Sequence, residues 1–249
     1  MESINGFHRI VHLQECESTS LSLRDILNQM PKNEAAIVYT DFQTRGRGQT
    51  DQFWESEDGK NSLFSFNVFP KELDVHNQFY LSAIIALSIH DFLKKLLPLQ
   101  QIHIKWPNDI YVNNRKIAGI LIENSTSSNR LIQSSIGIGI NVNQLDFGEL
   151  PLATSLTQWT QKQHDTEVIM RSFFYSFNNY LAALNARQYG KIKEDYLKLL
   201  YQKDELKKYS IHNNIVEGII RGIDEFGFLQ LETNNVINSY DIKEVVYCH

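Results

Sequence analysis

Lys105 and Lys116 close the two ends of KWPNDIYVNNRK, with a Trp-Pro bend, an Asn-Asp pair and an Asn-Asn turn between them. A lysine fixed on a strand can neutralise two anions as they meet. Just past the bend at Pro107, Asn108 and Asp109 can converge on a metal–phosphate or on an incoming amine. Gly119 follows and leaves a bare backbone patch for a flat ligand. The combination suits a site that holds a phosphate and a carboxylate side by side. An ordinary surface hairpin with solvated lysines is the competing reading, chiefly for Lys116 taken alone.

A second constellation is QTRGRGQTDQFW, residues 43–54. Gly46 and Gly48 let backbone approach a ligand, and Arg45 and Arg47 beside them add guanidinium donors. Together they make an anion cradle suited to phosphate. A solvated basic turn or a weak Arg-Gly RNA-binding tract is the alternative. Neither a lysine-ending P-loop nor a complete GxGxxG is present. In GIGINVN, residues 137–143, two glycines interrupt an apolar strand; a ligand against the strand, a bulge or tight packing would each explain them. Ser18-Thr19 can cap a helix and can also hydrogen-bond a ligand. Cys16, Cys248 and the histidines form no nucleophile–base pattern and no zinc spacing, so no metal ligand is assigned.

These residues must be positioned by regular elements. The spacing predicts a short helix from Leu21 to Met30 and a strand from Ala35 to Thr40 running into a loop, residues 41–52. A half-buried strand is predicted over Asn61–Phe69 and a buried helix over Phe79–Leu97. In the strand Gln101–Trp106, Ile102, Ile104 and Trp106 share one face, with His103 and Lys105 on the other. A turn at Asn113-Asn114 leads to a return strand over Lys116–Glu123. A polar loop, residues 124–130, and a strand Leu131–Asn141 follow. This is an antiparallel meander rather than strand–helix–strand units. A second long helix spans Thr166–Arg187, capped by Asp165. After about Lys203, strands over Ile215–Ile223, Phe228–Glu232 and Val236–Tyr240 read as a small β-barrel.

The 249 residues are 42% hydrophobic and 21% charged, enough for a sizeable core and unlike a disordered chain. A net charge of -5 excludes a general nucleic-acid or anionic-membrane binder. With no signal peptide, no membrane span and Cys16 and Cys248 as the cysteines, a cytoplasmic protein is expected.

In this order, Ser18-Thr19, Gln43 with Gly46-Arg47-Gly48, Trp54, KWPNDI, Arg115-Lys116 with Ala118-Gly119-Ile120, GIGIN and Thr154-Ser155-Leu156 resemble the biotin–protein ligases. The tail GIDEFGFLQLE resembles their small C-terminal domain. The resemblance runs from about Ser18 to the C-terminus. It implies an α/β (α+β) catalytic domain, residues 1–202, related to class II aminoacyl-tRNA synthetases and lipoate ligases, with a mixed, mainly antiparallel sheet. An SH3-like β-barrel would occupy residues 203–249. Some members carry an N-terminal helix-turn-helix and act as repressors; this chain starts almost at the catalytic domain and is read as a form without one.

The activity implied is ATP-dependent activation of biotin to biotinyl-5′-AMP, with Mg²⁺, then transfer to a lysine of a biotin carboxyl carrier domain. A homodimer through a sheet edge is compatible; nucleic acid and membrane are not expected partners. By resemblance, Lys105 and Arg47 neutralise the reacting anions, Lys105 bridging biotin and phosphate, and Asp109 orients the acceptor amine. Lys116, backbone at Gly119 and Ile120, Ser18, Thr19 and Gln43 would hold biotin. Trp54 would cover it and the loop with Gly46, Arg47 and Gly48 would close over it. Arg45, Arg47, Gln49, Lys105, Asn108 and Asn141 would face the nucleotide. A lipoate or octanoate ligase and a non-catalytic biotin-binding regulator are the alternatives.

The chain departs from the pattern at Gln49, where many members have a basic residue. One fewer charge near the phosphates predicts that the intermediate leaves more readily. Comparing release of biotinyl-AMP with that from Gln49→Arg checks this; equal release would contradict it.

Overall fold

Strand β1, Arg9–Cys16, lies parallel to β2, Ala36–Gln43, and the two are joined by α1, Thr19–Leu27. The computed structural model describes residue 4 and residues 6–49, 52–70 and 73–248; Thr50 and Asp51 of the glycine loop lie outside the described residues. This opening strand–helix–strand unit, in which β1 went unread in the sequence, supplies the parallel pair of the expected mixed, mainly antiparallel sheet. From β2 the main sheet continues antiparallel, in the order β1-β2-β5-β9-β8-β7-β6. Its further strands are β5 (Asn61–Val68), β6 (Ile102–Lys105), β7 (Asp109–Val112), β8 (Arg115–Ser127) and β9 (Arg130–Asn141).

Alternation sends opposite residues to opposite faces. Ile37, Phe64 and Phe66 point into the main core with Phe173, Phe174 and Phe177 of α4, Thr166–Asn185. On the other face Ala36 and Val38 pack on Leu23 of α1. All eight residues of β5 are therefore buried rather than half-buried, as befits a strand covered on both faces. Helix α2, Gln78–Leu96, packs beside α4 over the core, and Asp165 caps α4 by accepting from the amides of Glu167 and Val168.

Other expectations shift in detail. The polar segment 124–130 is a continuation of β8 and β9 rather than a loop, turning at Ser128 with φ 54°. Its Ser, Thr and Asn side chains pair across strands, as in Ser134 Oγ to Asn124 Oδ1 at 2.7 Å. The loop after Thr40 is also partly regular: β3, Gly46–Arg47, pairs with β4, Phe53–Trp54. Ser18 stands at the N-cap of α1 without capping it; its hydroxyl meets Ser20 Oγ at 3.0 Å.

Sequence periodicity also missed helices α3, Leu156–Thr160, and α5, Tyr189–Lys198. The C-terminal segment forms an antiparallel sheet of five strands in the order β13-β12-β11-β10-β14. Strands β11 (Asn214–Ile223), β12 (Leu229–Thr233) and β13 (Val236–Tyr240) were expected; β10 (Leu206–Ile211) and β14 (Val245–Tyr247) were not.

Burial holds the phenols of Tyr111, Tyr180, Tyr196, Tyr209 and Tyr247 above the ordinary tyrosine value of 10.0. The folded state keeps the proton where the unfolded state releases it. The resulting stability is fully present below pH 10.0 and is lost as the pH rises above it. Phenolate absorbance and loss of circular dichroism should therefore rise in one alkaline transition. Phenolate formation completed with the dichroism intact would contradict this packing.

Candidate active site

The register builds the floor of the site. Gly139 of β9 lies opposite Gly119 of β8, Gly119 opposite Asp109 of β7, and Asp109 opposite Lys105 of β6. A row across four strands thus carries two glycines, a carboxylate and a lysine on the face shared with α1. Lys116 joins that face because of a bulge: the β7–β8 register shifts between Ile110 and Tyr111, so Ile110 pairs with Ala118 but Tyr111 with Lys116. Without the extra residue, Lys116 would share the core face of Ala118 and Ile120.

The cleft on this face holds about 380 Å³. Ser18, Thr19, Gln43, Arg47, Gly48, Gln49, Trp54, Asn108, Asp109, Lys116, Gly119 and Ile120 all line it, so most of the expected site residues come together. At one end Gln43 Oε1 accepts from the Thr19 amide at 2.8 Å and from the Thr19 hydroxyl at 3.1 Å. The Thr19 hydroxyl also meets Ser65 Oγ at 2.8 Å. These buried hydroxyl and amide groups form a small, neutral polar network at the start of α1.

At the other end Lys116 Nζ lies 2.7 Å from Asp109 Oδ1 and over the Trp54 ring, 5.5 Å from its centroid. The Lys116–Asp109 contact lacks hydrogen-bond alignment, and Asp109 Oδ1 is a buried oxygen with no aligned donor among the described residues. Asn108 is pinned in both directions to Ile120, its Nδ2 donating to the Ile120 carbonyl at 2.8 Å and its own carbonyl accepting from the Ile120 amide at 2.9 Å. The intervening Trp106–Pro107 peptide is cis.

The patch expected to lie bare at Gly119 is covered by the protein's own Trp54. A Cβ on Gly119 would stand 2.8 Å from Trp54 Cζ3, and one on Gly139 2.4 Å from Trp54 Cε2. Gly46 lets β3 approach the Trp54 backbone: a Cβ there would lie 2.4 Å from the Trp54 carbonyl oxygen. Gly119 and Gly139 leave room for the indole to lie on the sheet.

Lys105, expected to bridge the reacting anions, does not line this cleft. Its ammonium donates to Tyr111 Oη at 2.9 Å and sits 4.8 and 4.7 Å from the centroids of the Tyr111 and Tyr247 rings. β6 is the edge strand next to residues 199–201 and the C-terminal sheet, and the long side chain folds into that aromatic seam. Burial presses its pKa below the ordinary lysine value, Asp109 opposing the shift and Lys116 adding to it. Arg45 also lies outside the cleft, its guanidinium 3.3 Å from Glu17. Asn141 is buried at the end of β9 and lines a smaller neighbouring cavity with Trp54 and Lys116. Arg47 faces the cleft but donates to Glu123 Oε1 at 3.0 Å.

Sequence reasoning missed several lining residues. Ser20 and Ser65 belong to the neutral network, and Ile242, Lys243 and Val246 reach the cleft from the C-terminal sheet. Nothing in the sequence pattern marks the last three. Trp106 Nε1 donating to the Gly227 carbonyl at 3.0 Å ties that sheet to the KWPND hairpin. Among the described residues no group of three His, Cys, Asp or Glu side chains could hold a metal ion.

Residues 13–141 match the Biotin/lipoate A/B protein ligase family, and residues 210–243 match the Biotin protein ligase C terminal domain. The chain belongs to the biotin/lipoate A/B protein ligase family. The bifunctional ligase/repressor BirA of Bacillus subtilis is 30% identical over 243 residues, 94% of this chain and 72% of that protein. The biotin–[acetyl-CoA-carboxylase] ligase of Paracoccus denitrificans is 31% identical over 157 residues, 61% of this chain and 65% of the other. Among solved structures, the biotin protein ligase of Aquifex aeolicus in complex with biotin and ATP superposes with a TM-score of 0.80 at 26% identity, covering 96% of this chain and 98% of that one. The ligase fold and its C-terminal sheet are therefore those of this chain.

Proposed function

We propose that this protein is an ATP-dependent biotin–protein ligase, which activates biotin and passes it to a lysine of a biotin carboxyl carrier domain. The observation that carries the reading is the cleft itself: a neutral hydrogen-bonding end at Thr19, Gln43 and Ser65, and a charged end at Lys116 and Asp109. Biotin has matching ends, a neutral ureido ring and a carboxylate. Its ring is assigned to the Thr19–Gln43 end and its carboxylate to Lys116.

In the first step a carboxylate oxygen of biotin attacks the α-phosphorus of ATP. A P–O bond forms to biotin, the bond to the β-phosphate bridging oxygen breaks, and pyrophosphate leaves. Two anions meet, so positive charge must sit between them. Lys116 takes the place first expected of Lys105, since its ammonium is on the cleft face. Arg47 adds a second cation once it is released from Glu123. Trp54 and the glycine loop exclude water from the mixed anhydride. In the second step the acceptor lysine attacks the biotinyl carbonyl and AMP departs. Asp109, whose Oδ1 lies 2.7 Å from Lys116 Nζ, orients that amine and draws off its proton.

Among the described residues Asp109 is the carboxylate lining the cleft. That donor set suits Mg²⁺ arriving with the ATP phosphates, which needs one or two carboxylates rather than a protein cage. When bound, the ion would neutralise phosphate charge.

Residues 1–202 are assigned as the catalytic unit and 203–249 as the SH3-like unit. A cytoplasmic protein without a nucleic-acid partner is part of the same proposal; no described helix is long and apolar enough to cross a membrane. A second copy would pair at β1, because the outer side of β6 already bonds Leu199 and Tyr201.

Pyrophosphate release with biotin, compared with lipoate and octanoate, tests the substrate assignment. Activity with biotin supports it, and activity confined to lipoate or octanoate would overturn it. An octanoyl-transfer reading needs a reactive thiol, yet neither cysteine lines the cleft and burial raises the Cys16 pKa above its ordinary value.

A further inference from the structure

We infer that Lys243, on the turn between β13 and β14, supplies the phosphate-facing charge that the glycine loop lacks at Gln49. The inference rests on the adenylating reading above. Among the described residues three cations line the cleft: Arg47, Lys116 and Lys243. Arg47 is bonded to Glu123 at 3.0 Å and Lys116 lies 2.7 Å from Asp109. Lys243 lines the cleft and forms no ion pair among the described residues, so its charge is the one that no carboxylate there holds in a close pair.

The turn that presents Lys243 is braced from within. The Asp241 amide donates to Glu244 Oε2 at 2.8 Å, the Ile242 amide to Asp241 Oδ1 at 2.6 Å, and the Glu244 amide to the Asp241 carbonyl at 3.0 Å. Both acidic side chains of the turn accept from backbone amides, and neither forms an ion pair with Lys243 among the described residues. The position also fits a nucleotide. Ile242 and Gln49 line the main cleft and also an adjoining one of about 400 Å³ reached past Pro107 and Asn108. The C-terminal turn and the glycine loop thus face the passage between the two clefts, which a group joining biotin's carboxylate to a nucleoside must cross. An exposed lysine contributes little to an ordinary single ion pair, but a phosphate chain offers several charges to one ammonium.

The test uses the full chain and four variants: Lys243→Ala, Lys243→Arg, Gln49→Arg and the double variant Gln49→Arg/Lys243→Ala. Three quantities are read: KM for ATP in biotin-dependent pyrophosphate release, the dissociation rate of biotinyl-AMP, and the Kd for biotin without ATP. Lys243→Ala should raise the first two about tenfold, roughly 1.4 kcal/mol, and leave biotin binding within about twofold. Lys243→Arg should retain wild-type values, and Gln49→Arg should restore them in the Lys243→Ala background, where its effect should exceed that in wild type. A merely structural role for Lys243 would not be rescued by a charge on a different element. Unchanged KM and release in Lys243→Ala, or no restoration in the double variant, would overturn the inference. Wild-type protein that makes no biotinyl-AMP would instead sink the adenylating reading itself.

Discussion

Lys116→Ala is expected to lower the rate of biotin adenylation by roughly 10²–10³-fold, the scale of losing one preorganised charge donor at a reacting centre. The reason is geometric. Lys116 is the lysine that the β7–β8 bulge turns onto the cleft face, beside Asp109 and above Trp54. Lys105→Ala should retain adenylation to within about tenfold, because its ammonium is engaged by Tyr111 and Tyr247 at the seam with the C-terminal sheet. Single-turnover adenylate formation by the two variants separates the assignments. A collapse in Lys105→Ala with near-normal rates in Lys116→Ala would reverse them.

Gly139→Ala should be nearly as severe by a different route. The added Cβ would meet three atoms of the Trp54 indole, Cε2 at 2.4 Å, Cζ2 at 2.7 Å and Cδ2 at 2.9 Å. Gly139 cannot retreat, since β9 is bonded to β5 on one side and β8 on the other. Trp54 must therefore leave the sheet and take one wall of the cleft with it. A loss of about 1–3 kcal/mol in stability is expected from overpacking, with biotin affinity falling more than about tenfold. Gly137→Ala is the comparison: its Cβ would find Ser65 Oγ at 3.4 Å, an ordinary contact, and folding stability should hold. Denaturant midpoints and biotin titration of the two variants read the difference. Wild-type stability and affinity in Gly139→Ala would show that Trp54 does not depend on that glycine.

Local signals in the sequence singled out most of the residues that line one cleft because its floor is made of strands with strong alternation. Ile102, Ile104 and Trp106 fell on one face and His103 and Lys105 on the other, as the burial of β6 shows. The Asn113 turn and the two long helices were legible for the same reason. Tertiary context decided the rest. β1 has one exposed edge and weak apolar contrast, so its parallel pairing with β2 left no pattern to read. The bulge at Ile117 is invisible to a period-2 count, and it is what brings Lys116 onto the face that Lys105 and Asp109 already share. Glycines that looked like room for a ligand proved to be room for Trp54, since a glycine signals close approach without naming what approaches. Lys243 lies on a separate sheet, far along the chain from the hairpin it faces, and only the fold brings it to the cleft.

The central claim is that this cleft joins biotin to AMP. Purified protein incubated with ATP, Mg²⁺ and biotin, then examined by native mass spectrometry alongside pyrophosphate release, tests it most directly. The account predicts a protein carrying the mass of biotinyl-AMP and one pyrophosphate released per adenylate formed. Bound biotin and ATP without adenylate or pyrophosphate would contradict it, and would leave a biotin-binding protein without the chemistry.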